Sequence, residues 1–439
     1  MAQVPNFLLL QQGTRVPNIL ISPPGSAVKQ SIFIEIVDEN AKSVLTLNRF
    51  QSYTITREYE WISDTFSCVL VAEPWRNPVI KAGYYMNWWI DGVRDFMGII
   101  ETVAVSVTKA GVKTTISGRS RASILVSNYI KFFHDYPGPS NLLPYQIIED
   151  IIEKTDFLQS KKWAEGDLIA SYQDMQMSEI KRVEAAQSLD LEVLNMQMLT
   201  VIEGNTLHFT DEFKALSLRP LKTSPGMTVW QALQILMRGT GMQVFINGQS
   251  LVFGKLSDFR SKGIDGKNLA NYSIQQYGAP AYYQTATSSS KRDSIVNRYS
   301  EIRVVAQSSS AHYRDASEYT DNLGIATDST LTSKKPFLHI YSGGTKTDPD
   351  GKSDMDKLAI KIRDDQRISG FSVHYTVPYH ISNNGEPWRL NRFCNVYDEI
   401  LGIYEKLVIY GVTYKFDINS GTTTELSLSY DRQDGVQDI

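Results

Sequence analysis

The chain of 439 residues has few cysteines, no long apolar run and no large excess of either charge. Its 2 cysteines, Cys68 and Cys394, cannot form a disulfide framework or a four-thiolate zinc site. Each lies in an apolar, strand-like run and reads as a buried free thiol, compatible with folding in a reducing compartment. No stretch approaches the roughly 18 apolar residues of a membrane span, so no membrane insertion is expected. Phe7 to Leu10 is apolar, but no basic segment precedes it and no small-residue cleavage site follows. It therefore reads as neither signal peptide nor anchor. A net charge of -4 excludes a broadly basic surface built to neutralise phosphates and leaves room only for a local basic patch.

What is present is ordinary globular composition, with 42% hydrophobic and 21% charged residues. The length suggests about three domains at roughly 150 residues each. Strand-length runs rich in β-branched and aromatic residues crowd the first part: Ser31–Val37, Tyr53–Glu60, Thr65–Ala72, Tyr85–Ile90, Phe96–Val107 and Val112–Ser117. Asp91-Gly92 and Ala110-Gly111 are the turns between the later strands. The segment from Pro5 to Pro24 reads as an arm or loop. These features predict an N-terminal β-barrel-like domain over 1–119.

The texture changes after Gly118-Arg119-Ser120. Ser120 is a candidate N-cap for a short helix. Pro137-Gly138-Pro139 breaks the chain, and Pro144 suits the first position of a helix whose stripe is Ile147, Ile148, Ile151 and Ile152. Thr228 and Gln231 are spaced as a capping box. Val229, Ala232, Leu233, Leu236 and Met237 then mark one helix face, and Gly239 and Gly241 stop it. A hairpin follows, with Met242–Ile246 and Leu251–Phe253 around Asn247-Gly248. An α+β middle domain over 120–260 is predicted, with an inserted polar segment at about 159–213.

The last part, 261–439, reads as a second β-barrel-like domain. Its strands are Asn297–Ala306, Ser372–Val377, Cys394–Tyr397, Lys406–Tyr414 and Thr423–Ser429, with Ser420-Gly421 turning the last pair. Asp354 is a candidate N-cap of a helix at about 354–368, with Leu358, Ala359 and Ile362 inward. Ser308–Lys335 and Gly343–Ser353 read as exposed polar loops. The fold class is α+β, mostly β: two small antiparallel β-barrel-like domains, an α+β middle and long polar loops.

The chemistry-bearing residues form no constellation. The histidines, His134, His208, His312, His339, His374 and His380, lack metal-ligand spacing and read as structural. There is no Gly-x-Ser-x-Gly elbow, Walker loop or dinucleotide fingerprint. Asp348-Pro-Asp-Gly351, with Asp354 and Asp356 beyond it, lacks the spacing and closing Glu of a calcium loop and reads as a turn. Glu149, Asp150 and Glu153, like Asp364 and Asp365, read as carboxylates on solvated helix faces rather than a glycosidase pair. No catalytic, cofactor-binding or metal-binding residue is assigned, and no cofactor is expected. Tyrosine is abundant, 23 residues against 17 Phe and 7 Trp. Tyr84, Tyr85, Trp88 and Trp89 cluster, either as core and rim of a β domain or as a carbohydrate or protein contact surface.

Three ordered segments carry a family resemblance. The first is Phe96–Glu101 with Thr115–Ser120 and Ile124–Val126, where a strand ends in Gly-Arg and opens a short helix with a Leu-Val pair. The second is Pro225–Leu233 with Gly241–Phe245 and the hairpin ending at Gly254. The third joins Asn297–Ser300, the helix near Asp356–Arg367, Pro387–Asn391, Leu401–Ile403, Leu407–Ile409 and Gly421–Thr423. In this order they resemble the baseplate hub proteins of Mu-like contractile-tailed phages, a trimeric tail-hub family related to the hub part of type VI secretion spikes. The segment at 159–213 departs from the family by its length.

The resemblance implies a non-enzymatic homotrimer in which each chain gives two barrel-like domains to a pseudo-sixfold ring. Such a ring joins a sixfold tail tube to a threefold central spike. The implied partners are the spike protein, a tube or tube-initiator protein and other baseplate proteins, with DNA only passing through the lumen. The implied location is the virion tail baseplate, assembled in the bacterial host cytoplasm. Two alternatives stay open: a receptor- or glycan-binding tail protein using Trp88 and Trp89, and a peptidoglycan hydrolase of the tail tip, for which no lytic domain is visible.

Overall fold

The computed structural model describes residues 31–431, except 39–42, 48–49, 59–61, 73–79, 92, 110, 131–134, 137–141, 154, 156–205, 217–220, 224–225, 238–241, 248–249, 263–267, 277–282, 307–322, 332–334 and 342–353. The expected features at Pro5–Pro24, Phe7–Leu10, Pro137–Pro139, Gly239–Gly241, His134, His312 and Asp348–Gly351, and most of 159–213, lie outside the described residues.

Seven strands build the first part: β1 (Ile32–Val37), β2 (Ser43–Leu47), β3 (Ser52–Glu58), β4 (Thr65–Ala72), β5 (Tyr85–Ile90), β6 (Val93–Thr108) and β7 (Gly111–Ser120). Asp91 takes a positive φ of 48° in the β5–β6 turn, as the Asp-Gly signal predicts. The middle contains α1 (Ser123–Ser127), β8 (Asp135–Tyr136), α2 (Pro144–Glu153), β9 (Thr206–Phe209), α3 (Asp211–Lys214), β10 (Leu221–Lys222), α4 (Val229–Met237), β11 (Gln243–Asn247) and β12 (Ser250–Gly254). The last part contains β13 (Tyr272–Gln276), β14 (Gln284–Thr285), β15 (Ser288–Asp293), β16 (Glu301–Ala306), β17 (Leu323–Thr327), β18 (Pro336–Tyr341), α5 (Asp354–Gly370), β19 (Phe371–Pro378), β20 (Phe393–Asp398), β21 (Lys406–Asp417) and β22 (Gly421–Ser429). The chain is thus mostly β within an α+β class.

The β strands of both ends do not close into separate barrels among the described residues. They share one 14-stranded sheet that runs β14-β13-β20-β21-β3-β4-β7-β6-β5-β1-β2, with β22, β19 and β15 on a branch. The branch point is β21. One of its edges pairs with β22 from Val408 to Asp417. The other edge is divided: Lys406–Val408 pairs with β20, and Gly411–Asp417 pairs with β3. A register shift between Ile409 and Gly411 marks the division.

Period-2 patterning puts one face of each strand inward. In β22, Thr422, Thr424, Leu426 and Leu428 are buried. In β19 the inward set is Phe371, Val373, Tyr375 and Val377. These meet Ile34, Ile36, Tyr53, Ile55, Trp88 and Ile116 in a single apolar core that spans both ends of the chain. Each such buried side chain contributes about 1.5–3 kcal/mol relative to exposure.

A second core fills the middle. The capping box forms as expected: Thr228 N–H donates to Gln231 Oε1 at 2.9 Å, and Gln231 N–H donates to Thr228 Oγ1 at 3.2 Å. The inward stripes of α2 and α4 pack with Phe209, Phe213 and Phe253. Strand β9 runs parallel to β12, and Thr210 caps α3 by accepting from Phe213 N–H at 3.2 Å. Residues 206–213, expected at the end of the inserted segment, are therefore part of this core. A third small core forms where Met355 and Ala359 of α5 pack on Ile302, Val304 and Ala326.

Four local expectations need correction. Ser120 does not cap α1, which begins at Ser123 after Ala122. It remains paired in β7, and its hydroxyl accepts from Asp64 N–H at 3.1 Å. The strand expected from Asn297 starts at Glu301, because Arg298 turns inward to a buried ion pair with Asp328 at 2.8 Å. The polar stretch Ser308–Lys335 contains strand β17, and β18 follows it; both pair with β16. Asp354 is itself the first residue of α5, which runs to Gly370.

The β6–β7 hairpin carries a bulge between Ile100 and Thr102. A Cβ at Gly118 would collide with the Ile99 carbonyl oxygen there. Gly118→Ala should cost about 3 kcal/mol, since the obstacle is backbone and cannot swing aside. Thermal unfolding measures this, and an unchanged midpoint would refute the bulge geometry.

Candidate assembly interface

The ionisable and aromatic groups that could carry chemistry are mostly committed to the sheet junction. Thr424 Oγ1 donates to Tyr379 O at 2.6 Å, so it accepts from His380 Nδ1–H at 2.9 Å. His380 Nε2 is then the acceptor for the Tyr53 hydroxyl at 2.7 Å. Burial alone pushes the imidazole down to about 3. It is a neutral core histidine, held by Tyr379 in a left-handed backbone conformation with φ 69°. His374 is exposed and faces Ser427 Oγ at 3.0 Å. His208 stacks edge-on against Phe259.

Arg57 on β3 is the charged counterpart of this cluster. Its guanidinium meets the Asp95 carboxylate at 2.8 Å, donates to the Asp95 carbonyl at 2.7 Å, and lies 3.6 Å from Asp64. It also covers the rings of Tyr414 and Phe96. Burial raises the Asp64 carboxyl to about 6; Arg57 pulls it down and Asp95 adds to the rise. Cys68 and Cys394 are free and buried, and burial pushes both thiols well above their ordinary range.

Trp88 and Trp89 are both core. Strand β1 is buried on both faces, so adjacent tryptophans on its partner β5 both find cover. Trp88 packs among Tyr53, His380 and Tyr414, and Trp89 stacks on Phe33 at 5.4 Å. Of the two readings, core or contact surface, the structure bears out the core reading for both tryptophans. Glu149, Asp150 and Glu153 line one helix, whereas Asp364, expected on a solvated face, is buried and pairs with Arg363 at 2.9 Å. No group of three or more His, Cys, Asp or Glu that could hold a metal exists among the described residues. No helix there is long and apolar enough to cross a membrane.

What the surface offers is strand edges and exposed apolar side chains. Strand β15 ends the branch with Ser288-Ser-Ser-Lys-Arg-Asp293, an edge blunted by charge. The β6–β7 hairpin is different. Strand β5 stops pairing at Ile99, so over Thr102–Val107 β6 has only β7 beside it among the described strands. This stretch, Thr-Val-Ala-Val-Ser-Val, has no charge and no proline. Its valines share one face; Val103 packs on the core, while Val105 and Val107 are 60% and 76% exposed. Lys109 and Lys113 flank the tip and are exposed. A second apolar group lies on the β20–β21 turn, where Ile400 is 65% and Tyr404 58% exposed between Glu399 and Glu405. Sequence reasoning found both strands of the hairpin but not its exposure; the uncharged run was the visible signal.

No protein-family model and no curated protein matches the sequence. Solved structures do share the fold. The tail protein from Neisseria meningitidis MC58 matches with a TM-score of 0.59 at 17% identity, over 92% of this chain and 96% of that chain. The prophage MuSo2 43 kDa tail protein from Shewanella oneidensis matches with a TM-score of 0.62 at 16% identity, over 91% and 98%. The prophage tail protein gp18 from Listeria monocytogenes EGD-e matches with a TM-score of 0.50 at 10% identity, over 91% and 95%. The chain has the fold of these tail proteins almost end to end.

His380 and Asp64 give opposite pH dependences. His380 titrates near 6.5 when unfolded and about 3 when folded, so the unfolded chain binds the extra proton between these values. Its contribution is complete above about pH 6.5 and falls by up to about 1.4 kcal/mol per pH unit towards 3. Asp64 rises from 3.8 to about 6 on folding, so its contribution is complete below 3.8 and is lost as pH rises through 6. Denaturant unfolding from pH 3 to 7 should show a shallower acid loss for His380→Gln and a steeper one for Asp64→Asn. A wild-type slope in His380→Gln would exclude the neutral buried imidazole. Trp88→Ala should cost about 3–5 kcal/mol, in keeping with a core role.

Proposed function

We propose that the chain is a structural hub of a phage or phage-like contractile tail. The observation that carries this reading is the shared fold with two tail proteins at TM-scores of 0.59 and 0.62 over more than nine-tenths of the chain. The reading assigns three copies to a closed ring that joins a sixfold tail tube to a threefold central spike and lets DNA pass. The β limbs, within 1–119 and 261–439, serve as two ring modules per chain around the middle unit of 120–260. Two modules in each of three chains give six similar positions facing the tube and three facing the spike. Cyclic heterologous contacts close such a ring without an active site. The commitment of His380, Arg57 and both cysteines to the core supports a structural role. In this reading the protein is not an enzyme, sits in the virion baseplate and is assembled in the host cytoplasm.

Light scattering across dilution tests the stoichiometry. Three copies of 49.6 kDa should give a stable particle near 149 kDa. Co-expression with tube and spike proteins of the same particle should give a co-purifying complex. A chain that stays monomeric and binds neither would overturn the reading.

A further inference from the structure

We propose that the β6–β7 hairpin tip of one copy docks on the β20–β21 turn of a second copy. This deepens the ring reading above and rests on it. Natural edge strands are blunted by charge or proline, as β15 is by Lys291 and Arg292. The Thr102–Val107 edge has neither, and its outward valines become more exposed toward the tip. Such an edge suits a protein that keeps it covered in the assembled state.

The chain itself supplies the complement. The hairpin tip has an apolar centre, Val105 and Val107, with Lys109 next to it in the turn; Lys113, paired with Ser106, projects from the other face. The β20–β21 turn has an apolar centre, Ile400 and Tyr404, between Glu399 and Glu405. Opposite charges around matched apolar centres fix register and partner choice.

The two surfaces cannot meet within one chain. At the hairpin tip, Val112 pairs with Ala72 of β4; Val69 of β4 pairs with Ser52, and Ser52 with Asp417 of β21. The tip therefore lies at the C-terminal end of β21, whereas the β20–β21 turn lies at its N-terminal end. Twelve residues of strand separate these ends by about 37 Å. A contact between them is heterologous, the kind that closes a ring when its rotation is right.

Three full-length variants test this by light scattering, with circular dichroism checking that each is folded. Val105→Asp with Val107→Asp should weaken self-association at least about 100-fold, as loss of a central apolar anchor does. Lys109→Glu should weaken it too, and adding Glu399→Lys with Glu405→Lys should restore it. Separately, Val107→Cys and Ile400→Cys proteins, mixed with a bismaleimide, should give a cross-linked pair that neither gives alone; the native thiols are buried. Trimeric wild type with trimeric variants and no mixed cross-link would overturn the contact and leave the ring standing. A strictly monomeric wild type would overturn the ring and the contact with it.

Discussion

Strand β21 has two edges and three claimants. One edge is given wholly to β22, and the other is split between β20 and β3 at the register shift near Ile409. Every strand of the 14-stranded sheet is hydrogen-bonded, directly or through neighbours, to this one strand. A split edge requires the two strands that share it to diverge, and the wedge between them must be filled. Trp388, Tyr272, Tyr414, Tyr53 and His380 fill it. Their rings supply volume, and their polar tips reach backbone groups that the branching leaves without ladder partners: Tyr414 donates to Trp388 O, and Tyr272 to Pro387 O at 2.5 Å.

The same constraint explains why charges are tolerated at the margin of an apolar core. Arg57 lies on β3 opposite Val412, just beyond the divide. A guanidinium there reaches Asp95 on β6 and Asp64 before β4 while covering Tyr414. Removing one member of such a set strands the others in low dielectric, so the group holds together as a unit. On the C-terminal side, Arg392 donates to Ala270 O at 2.6 Å and covers Tyr272. The two arginines tie loops to the branch where no strand can.

Local features were legible in the sequence because their causes are local. The Thr228–Gln231 capping box, the Pro144 helix start, the Asp91-Gly92 turn and the alternation in β19 and β22 each sit within a few residues. The resemblance and the mostly β class followed from their order. The joining of the two ends was not legible, because β3 and β21 lie more than 350 positions apart and any strand of suitable pattern could have been the partner. Nor was the burial of both Trp88 and Trp89: alternation places one of them outward, and only the cover over both faces of β1 and β5 buries the second. Strand β17 was hidden because Leu-Gly-Ile-Ala-Thr lies among serines, threonines and aspartates and buries only alternate residues. Its Gly324 admits the α5 backbone so closely that a Cβ would collide with Met355, a role seen only with the helix in place.

Sharing β21 also makes the two β limbs one mechanical body. A hairpin hinged on a separate domain would transmit force through a linker, and its tip would wander relative to the C-terminal turns. Here the path from Lys109 to Tyr404 runs through β7, β4, β3 and β21 by backbone ladders alone. Ladder bonds loaded along the strand direction must shear together rather than break one at a time. An exposed apolar tip on such a body has a fixed position and direction, so the entropy of ordering it is spent in folding rather than in association. This rigidity lets small apolar surfaces at the two ends of one strand act as matched contacts.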